Sequence, residues 1–148
     1  MKREEVIEAY RASRRALLEA IEGLTEAEAS EPAIEGWSLK DHLAHIAQWD
    51  ELRFFELNRI SAGQQPGYSA LTPELVNKFN DFSSAQRRGW SLAQVLWELE
   101  STRARLLETI ANLSERGLDA EAYKGVGLVS RHESEHAEAI KAWRAGRP

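Results

Sequence analysis

The chain has no cysteine among its 148 residues, which excludes disulfides, thiolate zinc fingers, iron–sulfur clusters and a cysteine nucleophile. No apolar run approaches the roughly 18 residues that a spanning helix needs. The Met1-Lys2-Arg3-Glu4-Glu5 start lacks the apolar region of a signal peptide. The expectation is a soluble, cytoplasmic protein. Basic blocks are missing as well: the formal net charge is -5, and Arg14-Arg15 and Arg87-Arg88 are isolated pairs. A duplex-binding surface displaces counterions with concentrated positive charge, so neither nucleic acid nor a membrane is an expected partner. No Gly-x-Ser-x-Gly elbow exists, and Gly125-x-Gly127 is too short for a phosphate loop. Period-two alternation never lasts long enough to demand a strand. Its nearest approach, Gly125-Val126-Gly127-Leu128-Val129, reads better as the lead-in to a helix.

What is present is helical. With 43% hydrophobic residues the chain can bury the core of one domain spanning residues 1–148. Val6, Ile7, Tyr10, Leu17, Leu18 and Ile21 predict one helix face over residues 3–22. Ser38 is placed as the N-cap of a second helix, with Asp41 in its first turn and an end near Ser61 to Gly63. Thr72-Pro73-Glu74 opens another segment, which breaks around Arg88-Gly89 and restarts with a capping box at Ser91. The last helix is expected from about Leu128 to Arg144. Four long amphipathic helices make an all-α four-helix bundle with a broken third helix. The long connections at residues 24–36 and 61–71 leave room for a crossover.

The four histidines fall into two pairs, His42 with His45 and His132 with His136. Four residues apart on a helix, His132 and His136 project from one face about 6 Å apart at Cβ. They share that face with Val129, Ile140 and Trp143, so the rings point where the core belongs. One inward histidine is most simply a neutral, hydrogen-bonded core residue. Two at this spacing, with further histidines on a second helix, favour ligands of one ion. His132-Glu133-Ser134-Glu135-His136 also fits the His-Glu-x-x-His pattern of zinc proteases. The metzincin extension requires Gly and His where Ala139 and Ala142 stand, and no sheet accompanies the helix. A third ligand must come from helix two. Helical-wheel arithmetic favours His42, nearer the centre of the apolar face, although His42 could instead pack on Trp37, and His45 lies at the face's edge. At this level the choice stays open.

The run Gly36-Trp37-Ser38-Leu39-Lys40-Asp41-His42-Leu43-Ala44-His45-Ile46-Ala47-Gln48-Trp49-Asp50 resembles the second-helix signature of the DinB/YfiT-like superfamily of metal-binding four-helix bundles. His132-x-x-Glu135-His136-x-x-x-Ile140-x-x-Trp143 is similar to its last helix, and Asn77-Phe79-Asn80 with Ser91 to Leu113 to the third-helix region of a subgroup. The resemblance implies a metal triad of His45, His132 and His136. His42 stands where relatives commonly carry an apolar residue, which leaves it packed beside the triad or supporting it. Glu135 is typical of the family and could hydrogen-bond a ligand's second nitrogen. The resemblance also implies small-molecule chemistry that depends on low-molecular-weight thiols, and often a homodimer, for which Trp97, off its helix's buried stripe, is the candidate contact.

Three neutral imidazoles with an open position suit a catalytic site for Zn²⁺, Ni²⁺, Fe²⁺ or Co²⁺. Such an ion activates water or a thiol. Glu133, inward beside the histidines, is the candidate general base, and Trp49 is a pocket wall. The leading expectation is a metal-dependent thiol transferase or hydrolase acting on a small molecule; the alternative is a non-catalytic binding or sequestering protein of the same fold. Neutral imidazole is the ligating form, so metal affinity is expected to fall as pH drops through about 6.5.

Overall fold

Side-chain caps fix where most helices begin in the computed structural model, which describes residues 1–148 except 69, 125 and 126. The elements are α1 (Arg3–Ala20), a short α2 (Glu26–Ser30), the strands β1 (Pro32–Ile34) and β2 (Trp37–Ser38), α3 (Leu39–Ser61), α4 (Pro73–Arg87), α5 (Leu92–Ala111) and α6 (His132–Ala145). Ser38 Oγ accepts from the Asp41 N–H at 3.0 Å while the Asp41 carboxylate accepts from the Ser38 N–H at 3.0 Å. That reciprocal pair satisfies two orphan donors at the start of α3. Thr72 caps α4 with Pro73 at its first position, and Ser91 and Gln94 form the box that opens α5.

The last helix starts later than its apolar pattern predicts. A helix through Leu128 would give that carbonyl to the N–H of residue 132. Here Tyr10 Oη and Arg53 Nη2 both donate to Leu128 O at 2.9 Å, and α6 begins only at His132. Of the expected lead-in run, residues 125 and 126 lie outside the described residues.

Buried apolar side chains gather in two clusters. Leu17, Leu43, Ile46, Leu99 and Ile140 belong to one, and Val6, Leu57, Ile60, Leu106, Ile110 and Leu128 to the other. Along α1, and from Leu128 into α6, the chain passes from the second cluster to the first; along α3 and α5 it passes the opposite way. α3 therefore runs parallel to α5, its most extensive neighbour, and α1 parallel to α6. Parallel neighbours need a long return, and α4, packed on α3, supplies it. The result is an all-α four-helix bundle with crossover connections. Arg87 secures α4, donating to Glu98 through Nε at 2.7 Å and Nη2 at 2.5 Å, and to Gln48 Oε1 at 2.6 Å.

One small sheet was not expected. β1 and β2 form a hairpin across Glu35 and Gly36, whose φ values of 52° and 84° are both positive, as a tight type I′ turn requires. Strands of three and two residues carry no readable period. Among the described residues no helix is long and apolar enough to cross a membrane.

Candidate metal centre

Three imidazoles from two helices converge where α3 meets α6. His132 Nε2 lies 2.8 Å from His45 Nε2 and 3.1 Å from His136 Nε2. Ligand atoms of all three fit within 4.8 Å of one another. Neighbouring nitrogens in a tetrahedral zinc site with 2.0–2.1 Å bonds stand about 3.3 Å apart, so the observed spacing needs little adjustment. The three histidines lie close enough to hold a metal ion. Of the two candidates on the second long helix, His45 is the one that joins the pair.

His42 has a different place. Its Nδ1 is 3.1 Å from His136 Nδ1 and its Nε2 is 3.4 Å from the Ile34 carbonyl. A carbonyl only accepts, so His42 Nε2 carries the proton there. Neutral His42 then accepts at Nδ1, and His136 donates from its own Nδ1. This relay leaves the lone pair of His136 Nε2 aimed at the other two imidazoles. The hairpin supplies both supports: Ile34 its carbonyl, and Trp37 a ring with its centroid 5.3 Å from both His42 and His45. The supporting contact expected of Glu135 falls instead to His42. Glu135 is exposed, and among the described residues it hydrogen-bonds no imidazole, because it points to solvent one position before His136.

Burial pushes all four imidazoles below the ordinary histidine value, and for His45 and His136, where neighbouring imidazoles add to it, down to about 3. The rings of the folded protein therefore stay neutral through and below pH 6.5, where unfolded histidines begin to protonate. The expected loss of affinity near 6.5 moves to lower pH. Between 6.5 and 3 the unfolded metal-free chain binds more protons, so stability falls as pH falls. One such histidine contributes about 2 kcal/mol of that loss by pH 5. Urea denaturation of chelator-treated protein at pH 7.5 and pH 5 should show it, with a shallower dependence in His45→Leu. An equal dependence in both proteins would refute the assignment.

Two of the three converging histidines, His45 and His132, border a cavity of about 480 Å³ that Ile46, Trp49, Arg53 and Tyr68 also line. Among the lining residues, Trp49 donates from Nε1 to Asn80 Oδ1 at 2.9 Å, and its ring lies 5.7 Å from Phe79. Beneath the cavity a charged layer separates the two apolar clusters. Arg103 donates to both Asp50 oxygens at 2.8 and 2.9 Å, to the Tyr10 carbonyl at 2.8 Å, and to Glu133. Arg14 donates to Glu133 at 2.6 Å and to Asp50 at 3.1 Å. Glu133, expected as the general base, is committed elsewhere. It is buried, and both its oxygens accept from guanidinium groups, so it anchors the start of α6 to α1 and α5. Sequence reasoning passed over Arg14, Asp50 and Arg103. The signal was their place on apolar stripes: Arg14 between Tyr10 and Leu17, Arg103 between Leu99 and Leu106.

No match to the chain is found among curated proteins or among solved structures. The family model of the DinB superfamily matches residues 9–140, a span that contains His42 and the three converging histidines, as well as the buried charged layer. The chain belongs to the DinB superfamily.

Proposed function

We propose that the protein is a metal-dependent enzyme that acts on a small molecule in this cavity, transferring a low-molecular-weight thiol in preference to hydrolysing its substrate. The carrying observation is the convergence of three imidazole nitrogens at the edge of a cavity large enough for a small organic ligand. A divalent ion there, zinc, nickel or iron, supplies Lewis acidity and lowers the pKa of a bound water or thiol. The chain's own part is to orient the imidazoles through His42 and Ile34 and to shield the site with Trp37 and Trp49. Both acids that line the cavity, Asp50 and Glu133, are committed to arginines. With neither acid free as a base, deprotonation would fall to the ion, and a thiol, intrinsically more acidic than water, is the nucleophile more readily ionised there. The same observation suits the alternative, a cytoplasmic protein that sequesters its ligand without turnover.

The test is consumption of cysteine or glutathione with an alkylating electrophile, using protein loaded in turn with zinc, nickel and iron. Metal-dependent turnover that disappears in His45→Ala supports the enzyme. Ligand retention without turnover under every metal supports sequestration instead.

A homodimer belongs to the same proposal. Trp97 on α5 is 68% exposed beside a shallow groove formed with Trp90, Ala93 and Gln94, a placement that suits an aromatic anchor between two copies. Light scattering should give a dimer for the wild type and a monomer for Trp97→Ala. A monomer in both removes the dimer.

A further inference from the structure

Arg53 lies two turns beyond His45 on α3, about 12 Å further along the helix axis, and lines the same cavity. It is only 5% exposed. Its Nε donates to Tyr10 Oη at 3.1 Å, and its Nη2 to Leu128 O at 2.9 Å and to Gly127 O. Among the described residues its Nη1 has no partner, and Tyr68, another lining residue, has its Oη buried without one. Among the described residues no carboxylate forms an ion pair with Arg53. The nearby acids are committed elsewhere: Asp50 and Glu133 to Arg14 and Arg103, and Glu56 to the N–H groups of Gly67 at 2.9 Å and Tyr68 at 3.4 Å. Buried polar groups are almost always hydrogen-bonded, and a buried charge without a counter-charge is costly.

We infer that the cavity takes an organic acid, its carboxylate held by Arg53 Nη1 and Tyr68 Oη and its apolar body lying along Trp49 toward the histidines. Both unmet groups can donate, and a carboxylate only accepts. One uncompensated guanidinium matches a single negative charge, which favours a monocarboxylate over a doubly charged phosphate. The apolar part of the lining, Ile46, Trp49, Leu71 and Val76, suits the body of such an acid. The inference rests on reading this cavity as the small-molecule site and adds the chemical class that it selects.

Calorimetric titration with 4-phenylbutanoate and with its uncharged amide tests it, on chelator-treated and on zinc-loaded protein. The acid should bind both forms at least about tenfold more tightly than the amide. Tyr68→Phe, which removes one hydroxyl, should weaken the acid about fivefold and leave the amide and the zinc stoichiometry unchanged. Arg53→Gln should abolish the discrimination. If that variant fails to fold by circular dichroism, Tyr68→Phe and the acid–amide contrast still decide. Equal binding of acid and amide, or no binding of either, overturns the inference and leaves ordered water as the partner of both groups. Acid binding only with zinc, unaffected by Tyr68→Phe, overturns it too, because the carboxylate then sits on the metal. Discrimination that persists without thiol turnover removes the enzymatic reading alone.

Discussion

Alanine at His45, His132 or His136 is expected to lower the affinity for a divalent ion by about 100-fold or more. Zinc held by four protein ligands gains about 10–16 kcal/mol, so each ligand contributes about 3 kcal/mol. That corresponds to a factor of order 100, and removal of one of three imidazoles leaves a site too weak to survive dialysis. His42→Ala should act differently. It takes away the acceptor that fixes the His136 tautomer and leaves every ligating nitrogen in place, so affinity should fall only about tenfold, at the low end for supporting residues. Competition titration against a chromogenic chelator measures both changes. Retention of tight binding in His45→Ala, with loss in His42→Ala, would exchange the two roles.

Arg103→Ala should destabilise the metal-free protein by about 3–5 kcal/mol, the usual result when one member of a buried ion-pair network is removed. Arg103 is 5% exposed and touches three helices besides its own: Asp50 on α3, the Tyr10 carbonyl on α1, and Glu133 on α6. Without it, Arg14 alone must neutralise two buried carboxylates, and the Tyr10 carbonyl loses a donor. A change of that size lowers the melting temperature by roughly 10–15 °C in a chain of this length. Lys78→Ala, which breaks an exposed pair with Glu74, should leave the melting temperature almost unmoved. If the two variants melt alike, the charged layer does not hold the bundle together.

The parts of this molecule legible in its sequence depend on neighbours close along the chain. Ser38 with Asp41, and Ser91 with Gln94, declare helix starts because each box is closed within four residues. The His132–His136 pair is legible for the same reason, since one turn of helix sets its spacing. Choosing between His42 and His45 required knowing the direction from which α6 approaches α3. The family signature supplied it, and wheel geometry could not. The start of α6 was misplaced because Tyr10 and Arg53, distant in sequence, take the Leu128 carbonyl. Glu133 shows the same limit: its inward position was readable, but its partners Arg14 and Arg103 come from other helices.

The central claim is that these three imidazoles form a metal site, and its most direct test is the metal content of wild-type protein. Protein incubated at neutral pH with zinc, nickel or iron, then dialysed, should retain about one ion per chain by elemental analysis. The His45→Ala variant, treated identically, should retain almost none. A wild-type protein that remains metal-free with all three ions supplied would contradict the account, and the enzymatic reading would fall with it.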